Sequence, residues 1–149
     1  MDKKTCVKEL INAAKVVKTN IEIVEENLAE KIISQVINKF KPKQLTGHLS
    51  IGDANLKLPT ERYELSFSNE LKKEPGYIFG EQYYESDKKT LIKVENMQMI
   101  SKLISESFGM EYFLTNESFD YLIAVNWYVI EFIGDGFPNK EEAYKNGLD

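Results

Sequence analysis

Residues 91–133, LIKVENMQMISKLISESFGMEYFLTNESFDYLIAVNWYVIEFI, decide the fold. They read as a strand through Val94, an amphipathic helix, and then three strands. Asn96 can cap the helix, whose apolar stripe is Met97, Ile100, Leu103, Ile104 and Phe108. Gly109 stands where a left-handed residue closes a helix, a conformation glycine adopts without a Cβ penalty. Strands are expected over residues 112–114, 120–125 and 128–133, with a turn over 115–118. YLIAV, residues 121–125, lacks alternation and predicts a central strand buried on both faces. Asn126-Trp127 has the two-residue hairpin length, although tryptophan suits the second position poorly and a longer loop is an alternative.

Upstream, Val7, Leu10, Ile11, Ala14 and Val17 recur at helical spacing, predicting a helix over residues 3–19. Thr19-Asn20 breaks the pattern and can cap a second helix over about 21–40, with a stripe through Ile21, Val24, Leu28, Ile32, Val36 and Phe40. Pro42 then stops it. Two helices joined by so short a break predict a helical hairpin whose apolar faces need a sheet. Residues 44–59 read as a glycine-marked loop with an edge strand near 55–58. The alternation of Tyr63, Leu65 and Phe67 with Arg62, Glu64 and Ser66 predicts a half-buried strand, and residues 77–84 predict an aromatic one. Residues 85–89 read as a polar hairpin, and residues 134–149 as a polar tail with a helical turn near 140–145.

The expected architecture is therefore α+β, in one domain over 1–149. A helical hairpin (about 3–40) packs on a mainly antiparallel sheet, with a strand-helix-three-strand unit completing the core (sheet and third helix about 55–133). A chain of 149 residues can bury a core without staples. Its 42% hydrophobic and 29% charged residues are ordinary for a globular domain. No run approaches the roughly 18 apolar residues of a membrane span, and MDKKTCVKEL has no uninterrupted apolar stretch of a secretory signal. With one cysteine, Cys6, the expectation is a reducing cytoplasm.

The net charge of −5, and a single arginine, Arg62, argue against a nucleic-acid partner. Catalytic constellations are thin. A triad would have to use His48, the one histidine, which reads as a loop residue, and Cys6 reads as a small core or boundary residue. One histidine and one cysteine exclude the ordinary zinc sets, and the Asp53-to-Asn55 group lacks a calcium loop's spacing. A nuclease-like acid and acid-x-lysine pattern at Asp87 and Lys93 fails at Leu91. GYIFGE lacks the context of a phosphate loop. No metal or cofactor is expected.

What remains is an acidic and aromatic surface. Glu81, Glu85 and Asp87 lie close together, interleaved with Tyr77, Phe79, Tyr83 and Tyr84. Solvated carboxylates on an acidic chain are the commoner reading of such a run. The sharper one is a partner-binding patch of Glu81, Tyr83, Glu85 and Asp87, because tyrosine and tryptophan are enriched at protein contacts. Trp127 at the hairpin tip is either an exposed anchor for the same partner or folds back on the helix layer.

The segment EYFLTNESFDYLIAVN, residues 111–126, with its preceding helix, resembles a pattern of small, poorly characterised bacterial proteins. This chain departs from it at Trp127-Tyr128, where those proteins often carry a polar or histidine-rich tip. In type the chain also resembles immunity proteins of bacterial polymorphic toxin systems, of the contact-dependent inhibition kind. The resemblance implies a non-catalytic cytoplasmic protein, monomeric or weakly dimeric, that neutralises a basic toxin domain by binding it. Two rival readings stand beside it. One is a small hydrolase or ligand-binding domain with His48 and acidic groups at the mouth of a pocket between helices and sheet. The other is a scaffold that dimerises through a sheet edge.

Overall fold

The computed structural model describes residues 3–107 and 109–135. The side chain of Cys6, Phe108 at the end of the third helix's expected stripe, and the tail beyond residue 135 lie outside the described residues. Helix α1, Lys3–Val17, buries Leu10, Ala13 and Ala14. It closes through Lys18 in the left-handed conformation (φ 57°), with the Thr19 N–H donating to Ala14 O at 3.0 Å. This six-to-one closure satisfies a carbonyl that the helix itself leaves unpaired. Strand β1, Ile21–Ile23, follows, and α2, Glu26–Phe40, begins only after it. The α2 cap is Glu25, whose carboxylate accepts from the N–H groups of Asn27 and Leu28. Those donors, not burial, hold the Glu25 carboxyl below its ordinary range. Asn20, expected to cap, instead donates its amide to Glu95. The β-branched alternation Ile21-Glu22-Ile23 suits a pleated edge beside β4, Ile92–Val94, and pairs there with Ile21 opposite Val94.

The remaining strands are β2 (Leu56–Pro59), β3 (Gly76–Phe79), β5 (Tyr112–Asn116), β6 (Tyr121–Val125) and β7 (Val129–Gly134). Together they form a seven-stranded sheet in the order β1-β4-β3-β5-β6-β7-β2, antiparallel at every pairing. The protein is α+β, as its sequence predicts. The sheet carries a core on each face. Tyr121, Ile123 and Val125 of β6 face one core with Ile78, Leu114 and α1, while Leu122 and Ala124 face the other with Phe79, Phe113 and α2. The two N-terminal helices thus pack on the sheet from opposite sides, with β1 between them. This explains why β5 and β6 are buried throughout. A strand with helices or loops over both faces has no polar side to show.

The first face is completed by α3 (Thr60–Tyr63), α4 (Ile100–Ser105) and short 3-10 turns at Phe67–Glu70 and Met97–Met99. Residues 62–68 are therefore not a strand. Tyr63 and Phe67, four apart, both reach the core, whereas Leu65 is exposed. The alternation that suggests a strand coincides with a helical spacing of the two residues that matter. Asn96 caps as expected, accepting from the Gln98 N–H. Helix α4 ends at Ser105 with Glu106 as its C-cap, so Gly109 is not at the capping position. The aromatic strand stops at Phe79, and Glu85–Lys89 is a 3-10 turn packed against α2, not a hairpin. The β6–β7 connection has three residues, Asn126 to Tyr128.

Candidate functional site

The stretch least legible in sequence, residues 44–59, ends in β2, and the part before that strand proves to be a strap over the α2 face of the sheet. It sends Leu49 and Ile51 into the core, and so must also bury parts of its backbone. Buried N–H and C=O groups need partners, and three sheet side chains supply them. Glu111, just ahead of β5, accepts the Leu49 N–H at 3.1 Å. Asn126 donates to Leu49 O at 3.0 Å, while its own oxygen accepts the N–H groups of Tyr128 and Val129. Glu131, 2% exposed, accepts the Ile51 N–H at 3.1 Å and lies 3.6 Å from Lys57 Nζ. The Asn126 geometry is an Asx turn, which is why asparagine rather than a two-residue turn pair shapes the tip.

This strap meets two other loops at one end of the sheet. The Gly47 N–H donates to Glu81 Oε2 at 3.2 Å, and the Gln82 N–H to Leu45 O at 2.8 Å. Glu111 Oε2 lies 3.1 Å from His48 Nδ1 and accepts the Trp127 N–H at 3.3 Å. The His48 ring meets Tyr128 edge-on, with centroids 5.1 Å apart. Between these loops and α1 opens a cleft of about 790 Å³ with an apolar interior that includes Leu10, Ile78 and Ile92. His48, Glu81, Tyr84, Glu111 and Trp127 border it.

No family model, curated protein or solved structure matches this chain. The site is therefore argued from its own geometry. Of the surface expected from sequence, Glu81, Asp87 and Trp127 border this one cleft. Tyr83 is exposed and packs edge-on against Tyr84. Glu85 is exposed but pairs with Lys88 away from the cleft lining. Asp87 differs from expectation: it is 2% exposed, and its Oδ2 accepts the N–H groups of Tyr83 (2.8 Å) and Tyr84 (2.6 Å). It shapes the loop that presents the two tyrosines and offers no free carboxylate to a partner. Trp127 is neither a fully exposed anchor nor shown against the helix layer. It is half exposed, and its six-membered ring lies 3.1 Å from where a Cβ on Gly109 would stand. Gly109 thus lies close against the Trp127 ring and not at the helix cap.

Sequence reasoning missed Glu111 and Tyr128. The signal for Glu111 was present, because a carboxylate abutting the apolar run YFLT must find partners once that strand is buried. Chemically, the His48–Glu111 pair could orient an imidazole toward a bound water. Among the described residues no serine, threonine or cysteine side chain is hydrogen-bonded to His48 in the manner of a triad. Among the described residues no group of three or more His, Cys, Asp or Glu could hold a metal, and no helix is long and apolar enough to cross a membrane.

Proposed function

We propose that this is a non-catalytic binding domain whose acidic and aromatic rim receives a basic protein partner. In its specific form it is a cytoplasmic bacterial immunity protein that neutralises a toxin domain by direct contact. One observation carries the reading. The exposed Tyr and Trp side chains among the described residues, Tyr83, Tyr84, Trp127 and Tyr128, all lie on or beside the loops around this cleft. The cleft has carboxylates and no lysine or arginine among its described liners. Exposed aromatics grouped around an acidic depression support a contact surface, with charge steering encounter and aromatics setting residence time. The immunity assignment rests on the resemblance in type. The test is association kinetics with a toxin domain co-purified at one-to-one stoichiometry. Glu81→Lys combined with Glu85→Lys should slow association about tenfold at low salt. Absence of such a partner, or unchanged kinetics in the double variant, overturns the proposal.

A second reading is favoured by the cleft itself. Its volume and apolar interior also suit a small-molecule binding domain, with His48 and Glu111 at the mouth.

A further inference from the structure

We propose that the cleft binds a small organic cation with a flat apolar body, such as an arylalkyl amine or guanidine. The proposal rests on the small-molecule reading of the cleft and names its ligand class. Size comes first. At about 790 Å³ the space is several times larger than one lysine or arginine side chain and falls within the roughly 300–1,000 Å³ of whole-ligand sites. Its interior is apolar, through Leu10, Ile78 and Ile92, and would take the body of the ligand out of water.

The sign of the ligand's charge follows from the liners. Glu26, Glu81, Asp87 and Glu111 contribute carboxylates, and no described liner is a lysine or arginine. Two of these charges are already committed. Asp87 is held by two backbone N–H groups, and Glu111 by two more and His48. Glu81 takes a single backbone N–H, from Gly47, and Glu26 stands exposed in the first turn of α2. These two rim carboxylates are the ones left to meet a cation, and they would repel an anion. Tyr84 and Trp127 line the same cleft, and an aromatic ring attracts a cation through its quadrupole, which neither a neutral nor an anionic ligand exploits.

Trp127, the chain's single tryptophan, supplies the readout. Phenethylamine, uncharged 3-phenylpropan-1-ol and phenylacetate are titrated with tryptophan-selective excitation, and heats are measured in parallel. The amine should saturate with a dissociation constant on the order of 1 mM or below, the value a ligand of this size reaches at ordinary efficiency. The alcohol should bind about tenfold more weakly and phenylacetate not measurably. Glu26→Gln with Glu81→Gln should weaken the amine about tenfold and leave the alcohol unchanged. Both residues are exposed, so an unchanged melting temperature verifies that the double variant is folded. Equal binding of amine and alcohol, or tighter binding of phenylacetate, overturns the cation assignment and leaves a ligand cleft of another class. No saturable response to any probe removes the small-molecule reading along with it.

Discussion

Glu64 shows how a single side chain can set a pH dependence that no surface charge would. Its carboxylate lies beneath the first face of the sheet, where it accepts a 3.3 Å hydrogen bond from the Tyr112 hydroxyl. Burial raises its pKa above the ordinary carboxylate value, and the Tyr112 bond offsets only part of that. The Tyr112 phenol is pushed well above its own ordinary value, by burial first and then by the Glu64 charge. For Glu64 the folded state holds the proton more tightly than the unfolded chain does. Its contribution to stability is thus fully present below the ordinary glutamate pKa. It is lost as pH rises through the elevated folded value, because the folded protein must then keep a desolvated charge. Glu64→Gln retains an acceptor for Tyr112 and removes that charge. Melting temperature against pH should therefore fall less between the ordinary glutamate range and neutrality in the variant, which at pH 7 should be at least as stable as wild type. A variant curve parallel to wild type would show that Glu64 contributes nothing to this slope. The group is only partly buried, which keeps the effect modest.

At the scale of elements, what the sequence made legible and what it hid divide along one physical line. The strands β5 and β6 were legible because burial on both faces leaves apolar runs, and α1 because its stripe keeps helical period over about three turns. Strand β1 was hidden because Ile21 and Val24 also suit the first turn of a helix, and only pairing with β4 decides between them. The strap was hidden for the opposite reason. Its anchors are single apolar residues, Leu49 and Ile51, whose register is set by carboxylate and amide groups sixty to eighty residues away. Of the site, Glu81, Tyr83 and Glu85 lie at the surface as expected and Trp127, left open by the sequence, is half exposed, while the inward turn of Asp87 depends on loop geometry that composition does not encode. If Glu131 fastens the strap, Glu131→Ala should raise hydrogen exchange at the Ile51 amide by about five- to a hundredfold. An orphaned buried donor costs about 1–3 kcal/mol, enough for that change. Amides at the centre of β6 should shift no more than global stability does. Equal increases at Ile51 and in β6 would mean that the strap and sheet open together.

Over the whole molecule, the paired strands run without interruption from β1 to β2, and both cores share β3, β5 and β6. Damage at one end should then be felt at the other. Gly76 tests this because it joins layers. A Cβ there would stand 2.3 Å from Met97 Sδ and 2.6 Å from Thr115 O. The Met97 side chain can move aside, but the Thr115 carbonyl belongs to the β3–β5 ladder and cannot yield without shifting a central strand. Gly76→Ala should cost about 1–3 kcal/mol, the usual range for overpacking a tight site. Two signals can follow its unfolding. Trp127 fluorescence reports the β6–β7 tip, and far-UV circular dichroism reports all helices and strands together. If one cooperative unit unfolds, both should give the same, lowered urea midpoint in Gly76→Ala. A Trp127 transition left at the wild-type midpoint while the dichroism shifts would mean that β6, β7 and the strap form a separately stable unit. In that case the cleft, whose walls come from α1 and β3 as well as from the tip, would lose its shape before the tip itself unfolds.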